Sequence, residues 1–232
     1  MSRVAIVQSN YIPWKGYFDL IRQVDAFVLY DDVQYTPRDW RNRNMVKTPR
    51  GAAWMTIPVQ VRHRSRQLIS EVTTSDNAWR ASHWRTLELN YARAPYFTEY
   101  RDALRSLYLD SDERRLSAIN HRFIARICDW LGITTALHWS MDFQKAGSAS
   151  ERLLDICRQL GARVYLTGPS ALAYLDRSPF VAANVEVEVM RYDGYPEYPQ
   201  RFPPFEHAVS AIDLLLNTGP DASRYLVRAG AP

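Results

Sequence analysis

The sequence predicts an α/β fold: a Rossmann-like, mostly parallel sheet carrying a helical insertion. Three observations lead there. Short apolar runs at Val4–Val7, Ala26–Tyr30 and Val164–Leu166 lack polar alternation, as strands buried on both faces require. Between the first two lies Gly16 to Val24, with Tyr17, Leu20, Ile21 and Val24 on one helical face, so a right-handed βαβ crossover is the default. Residues 75–132 hold three helical patterns in succession with no strand between them. One α/β domain over residues 1–232, with a helical insertion at about 75–132, follows.

The elements read in order as follows. A strand spans about Arg3 to Gln8, and Pro13 forbids its continuation because it lacks a backbone donor and restricts Ile12. After the helix and the second strand comes a charged loop, Asp39-Trp40-Arg41-Asn42-Arg43-Asn44. Ala52 to Gln60 reads as a strand that ends or reaches an edge at Pro58, and Leu68 to Thr73 as a shorter one. Ser75 or Asp76 caps a helix from Ala78 to Ala92, followed by helices over Phe97–Tyr108 and Asp112–Leu131, the last closed by Gly132. The α/β rhythm returns with strand Thr134–Trp139, and a helix from Ala149 to Leu160 opens on the capping box Ser148-Ala149-Ser150-Glu151. Strand Arg163–Leu166 then leads through Thr167-Gly168-Pro169-Ser170 into a short helix. Val185–Met190 is the last strand. The aromatic, proline-rich stretch 192–205 is extended, Ser210 caps Ala211–Asn217, and Pro220 opens a terminal helix.

Composition narrows the class. With 47% hydrophobic and 23% charged residues, the chain is that of a folded protein. No apolar run approaches the roughly 18 residues that span a bilayer, and the N-terminus lacks signal-peptide architecture, which places the chain in the cytoplasm. The two cysteines, Cys128 and Cys157, sit inside apolar helical patterns and read as buried hydrophobes. Net charge is +4, yet residues 36–66 alone hold Arg38, Arg41, Arg43, Lys47, Arg50, Arg62, Arg64 and Arg66 against Asp39. Such a segment faces either solvent or an anion.

The candidate site residues fall just after strands, where open α/β sheets bind ligands. Gln8, Asn10, Lys15 and Gly16 form a polar strand-to-helix turn suited to a phosphate, although neither G-x-G-x-x-G nor a P-loop is present. Asp31 and Asp32 follow the second strand and are suited to general-base work or to holding a divalent metal. Arg41, Asn42, Arg43 and Asn44 concentrate guanidinium and amide donors for phosphate or carboxylate. Thr167, Gly168 and Ser170 make a second turn that emerges on the same side in a parallel sheet. Of the five histidines, His63, in the basic loop, is the best general-base candidate.

Together Gln8-Ser9-Asn10-Tyr11-Ile12-Pro13-Trp14-Lys15-Gly16-Tyr17-Phe18, Asp31-Asp32-Val33-Gln34-Tyr35, Trp40-Arg41-Asn42-Arg43-Asn44, Ile57-Pro58-Val59, Thr167-Gly168-Pro169-Ser170 and Ser210-Ala211-Ile212-Asp213-Leu214-Leu215 resemble the motifs of the WbqC-like family. The resemblance spans nearly the whole chain. It implies a transferase acting on a sugar or nucleotide-sugar in bacterial surface-polysaccharide biosynthesis, with acyl or aminoacyl transfer favoured and a small anionic or nucleotide-linked substrate. Two alternatives stand beside it. One is a non-catalytic polyanion- or RNA-binding module using residues 36–66, disfavoured because only Trp40 and Trp54 interleave the basic residues. The other is a metal-dependent glycosyltransferase using Asp31 and Asp32.

Overall fold

The structure is a computed structural model and describes residues 2–62, 64 and 66–227. Its centre is a five-stranded, all-parallel sheet of β1 (Arg3–Val7), β2 (Ala26–Leu29), β5 (Ala136–Trp139), β6 (Val164–Thr167) and β7 (Glu186–Val189), ordered β5-β2-β1-β6-β7. Taken in sequence these strands lie 3-2-1-4-5, the Rossmann order, so the direction of winding reverses between β1 and β6. The apolar runs are continuous because both faces are covered. Ala5, Phe27 and Leu29 face the larger core with α1 (Lys15–Arg22), α4 (Leu116–Leu131) and α7 (Ala211–Thr218). Val4, Ile6, Val28 and Tyr165 face a smaller core with α5 (Ala149–Gln159) and α6 (Ser178–Ala182).

The helical run consists of α2 (Ala78–Tyr91), α3 (Phe97–Leu109) and α4. The third helix starts at Leu116, later than Asp112, because residues 114 and 115 are held extended: Thr74 N donates to Arg114 O at 2.8 Å, and Thr73 bridges Arg115. The Ser148 capping box forms as read, and Gly132 ends α4 at φ 68°. Cys128 and Cys157 are buried and free, and burial raises both thiols to about 12.

Residues 43–56 depart from the sequence reading. Arg43 and Asn44 are not loop residues but open β3 (Arg43–Thr48), which pairs antiparallel with β4 (Gly51–Thr56) in a hairpin separate from the main sheet. The turn was present in the sequence as Thr48-Pro49-Arg50-Gly51, with proline second and glycine fourth; Gly51 adopts φ 102° and its carbonyl accepts from Thr48 Oγ1. Leu68–Thr73 is not a strand but a 3-10 turn at Ile69–Glu71, and the terminal segment is likewise 3-10, over Gly219–Leu226.

Residues 192–205 run as an extended strap, fastened by side chains. Tyr195 Oη donates to Asp19 at 2.6 Å and Tyr198 Oη to Asp213 at 2.5 Å. Lys15 Nζ donates to Pro196 O at 2.9 Å, and Lys47 Nζ to Pro204 O. Asp213 also accepts from Tyr91 and Gln200, so the strap, α2 and α7 share one buried carboxylate. Among the described residues, no helix is long and apolar enough to cross a membrane.

Candidate functional site

The turn after β1 is built under constraint. Ile12, a β-branched residue, sits at φ 36°, a region that L side chains rarely occupy. Four contacts hold the turn there. Ser9 N donates to Asp31 Oδ1 (2.8 Å), Tyr11 N to Trp40 O (3.0 Å), Asn44 Nδ2 to Tyr11 O (3.2 Å) and Ala211 N to Pro13 O (2.8 Å). The same network fixes the 39–42 loop above the strand ends. Asn120, on α4, donates to both Ser9 Oγ (3.0 Å) and Arg41 O (2.9 Å).

These contacts shape a cleft of about 850 Å³ over the carboxyl ends of β1, β2 and β6, at the point where winding reverses. Pockets for small molecules fall in this size range and at this position in such sheets. Gln8, Asn10, Arg41, Thr167, Gly168 and Ser170 all line it, so six residues from three separated segments are brought together. Arg41 is the best-defined group among them. Its Nη1 donates to Asn10 Oδ1 at 2.5 Å and its Nη2 to Gln8 Oε1, while Asp39 Oδ2 lies 3.5 Å from Nη2. Two neutral carbonyls thus orient the guanidinium in the cleft wall, and the Asp39 carboxylate offsets part of its charge.

The other expected residues lie elsewhere. Asp31 has no exposed surface; its oxygens accept from Ser9 N and Ser117 Oγ, and burial raises its carboxyl against those bonds. It ties the β1 turn to α4. Asp32 turns the other way, to Ser140 Oγ (2.5 Å), Lys145 Nζ (3.0 Å) and Arg152 Nη2 (3.2 Å). Burial would raise its carboxyl, but these partners outweigh burial and lower it. The two carboxylates therefore do not converge on one point, and cations already occupy Asp32. This donor set does not suit a shared divalent ion, and among the described residues no group of three metal-ligating side chains assembles.

Lys15 is buried under the strap, its Nζ 5.4 Å from the Tyr195 ring centroid and 5.3 Å from that of Tyr198, and burial lowers it to about 8. It does not line the cleft. Gly16 matters sterically, because a Cβ there would come within 2.3 Å of the Trp14 ring, which walls the cleft. Asn42 and Asn44 are buried, donating to Ile57 O and Tyr11 O, so they shape the loop. Asn44 also lines a smaller chamber of about 210 Å³ beside the cleft, with Asn10, Trp14, Trp40 and Ala208. The Arg43 guanidinium stacks 4.3 Å from the Trp54 ring centroid. His63 lies outside the described residues. The basic segment divides: Arg41, Arg43 and Lys47 engage internal partners, and Arg38, Arg50, Arg62, Arg64 and Arg66 lie exposed.

Sequence reasoning overlooked Asp39 and Arg152. Asp39 is the one acidic residue lining the cleft among the described residues. Arg152, on α5, also lines it, with a buried Nε that has no partner in the protein. Trp14, Trp40, Tyr174 and Tyr192 give the cleft aromatic walls. Asp39 carried a signal, its place between the turn and the arginines; Arg152 carried none, since nothing local marks one helical arginine among several.

The sequence model of the WbqC-like protein family matches residues 8–225. The uncharacterized protein Rv1507c of Mycobacterium tuberculosis is 49% identical over 226 residues, covering 97% of this chain and 98% of its own length. No solved structure matches the chain.

Proposed function

The chain belongs to the WbqC-like protein family, and from that premise we propose that its cleft is the active site of a transferase acting on a nucleotide-linked sugar, with acyl or aminoacyl transfer as the reaction. The observation that carries this reading is Arg41, anchored by Gln8 and Asn10 where the sheet reverses its winding. A guanidinium oriented by two neutral acceptors, and only loosely paired with Asp39 at 3.5 Å, in a cleft of this size is suited to a diphosphate. Arg152 adds a second cation, and the hydroxyls of Thr167 and Ser170 supply neutral donors.

In this reading Asp39 is the base. It takes the proton of a sugar hydroxyl or amine as that group attacks the carbonyl carbon of an activated acyl donor. The new C–O or C–N bond forms as the bond from carbonyl to carrier breaks, and the carrier leaves with its electron pair. Asp31 and Asp32 hold the architecture that positions Asp39 and Arg152.

A thermal-shift panel of nucleotide sugars, nucleoside diphosphates, acyl carriers and polymeric RNA tests the reading. At least one nucleotide sugar is expected to raise Tm by several degrees, since a ligand at about 100 times its Kd stabilises by about 2.7 kcal/mol. That shift is expected to vanish in Arg41→Ala and to persist in Asp39→Asn. A panel in which only polymeric nucleic acid stabilises the protein would point to the exposed arginines instead.

A further inference from the structure

The cleft and the 210 Å³ chamber share three walls: Asn10, Trp14 and Trp40. Trp40 is the unusual member. It is 40% exposed and stands beside Trp54, which is 47% exposed, their ring centroids 5.3 Å apart. Elsewhere in the fold tryptophans such as Trp79 and Trp84 are buried. Trp40, at the junction of the two cavities, offers part of its indole to water, while the Trp54 ring beside it carries the Arg43 guanidinium 4.3 Å from its centroid.

The groups around the Trp40 ring combine hydrogen-bonding side chains with paired charge. Asp39 precedes Trp40, its Oδ1 accepting from Trp40 N at 2.6 Å and its Oδ2 lying toward Arg41. Asn10 presents its amide in the same chamber, and Asn44 lines it with an amide already bonded to Tyr11 O and Met45 N. Asp39 and Arg41 pair here, so the patch beside Trp40 carries little net charge. An apolar plate flanked by a carboxylate and an amide matches a pyranose ring, whose C–H face is apolar and whose edge carries hydroxyls.

We propose that Trp40 is the sugar-recognition platform: the pyranose of the substrate lies with its C–H face on the Trp40 indole, between the two chambers, and its edge hydroxyls reach Asp39 and the Asn10 amide. This rests on the transferase reading and adds where the sugar sits and how it is oriented toward Asp39.

Saturation-transfer NMR tests it, with methyl glycosides of glucose, galactose, mannose and N-acetylglucosamine as probes and UDP titrated separately. At least one glycoside is expected to receive saturation at its ring protons. Trp40→Ala should weaken that binding by about tenfold or more, and Trp40→Phe should restore part of it. Arg64→Ala, on the exposed surface, should change nothing. Absence of transfer to every glycoside, or transfer unaffected by Trp40→Ala, overturns the platform. So does loss in Trp40→Ala of transfer to the uracil protons of UDP with the glycosides unaffected, which would make Trp40 a nucleobase plate. Glycoside binding at Trp40 with no response to any nucleotide sugar would leave the platform standing and sink the transferase reading.

Discussion

Single residues here separate into those that build the site and those that face a ligand, and burial decides which is which. His83 is a builder. Its Nδ1 lies 2.8 Å from Tyr11 Oη, itself 3.0 Å from Tyr108 Oη, in the core beneath the β1 turn. Burial lowers His83 from 6.5 to about 4, against a hydrogen bond with the Thr56 backbone. Above pH 6.5 the imidazole is neutral whether the chain is folded or not, so its full contribution is present. Between pH 6.5 and about 4 the unfolded chain takes up a proton that the folded chain refuses, and stability falls by up to about 3 kcal/mol. Urea midpoints at pH 7 and pH 4.5 should differ less in His83→Gln than in the native protein; equal differences would refute this. Lys15 is also a builder. Lys15→Met keeps the stem beneath Tyr195 and Tyr198 and removes a buried charge, so stability should change by no more than about 1 kcal/mol. Nucleotide-sugar affinity in calorimetry should be unchanged, and a tenfold loss would return Lys15 to the cleft.

At the scale of elements, what local physics dictates was legible. The capping box of α5, the glycine stop of α4 and the unbroken apolar runs of β1 and β2 follow from interactions within a few residues. The β3–β4 hairpin was half visible. Arg43 and Asn44 read as the end of a polar loop because the partners of this stretch are distant: Lys47 donates to Pro204 O and Arg43 stacks on the Trp54 ring. The Asp31-Asp32 pair misleads for a similar reason. Adjacent strand-end side chains point to opposite sides, so two neighbouring carboxylates reach Ser117 and Ser140, in different elements. The turn after β6 offers a clean probe. Gly168 has φ −77°, and a Cβ there would meet nothing nearer than Tyr192 Oη at 3.7 Å. Gly168→Ala should therefore leave Tm within about 2 °C while filling space in the cleft floor and weakening nucleotide-sugar binding by about tenfold. A large drop in Tm would show that the glycine serves the backbone and not the ligand.

Across the whole molecule, strand order does most to locate the site. The 3-2-1-4-5 arrangement opens a crevice between β1 and β6, and the chain delivers Gln8 and Asn10 from one side, Thr167 to Ser170 from the other, and Arg41 from the loop above. Sequence could place each of these at a strand end but not in one space, since that depends on which strands are neighbours. The strap and α7 brace the region from outside through Asp19 and Asp213, so the cleft walls are tied to both ends of the chain. The central claim is that Arg41 binds the anionic part of a nucleotide-linked sugar in that crevice. Isothermal titration with UDP-, GDP- and dTDP-sugars at fixed ionic strength, comparing the native protein with Arg41→Ala and Arg64→Ala, tests it directly. The expected result is micromolar binding of at least one nucleotide sugar, weakened about 30-fold or more in Arg41→Ala and unchanged in Arg64→Ala, as for loss of a charged hydrogen-bonding pair. Binding of none of them, or equal affinity in the native protein and Arg41→Ala, would contradict it.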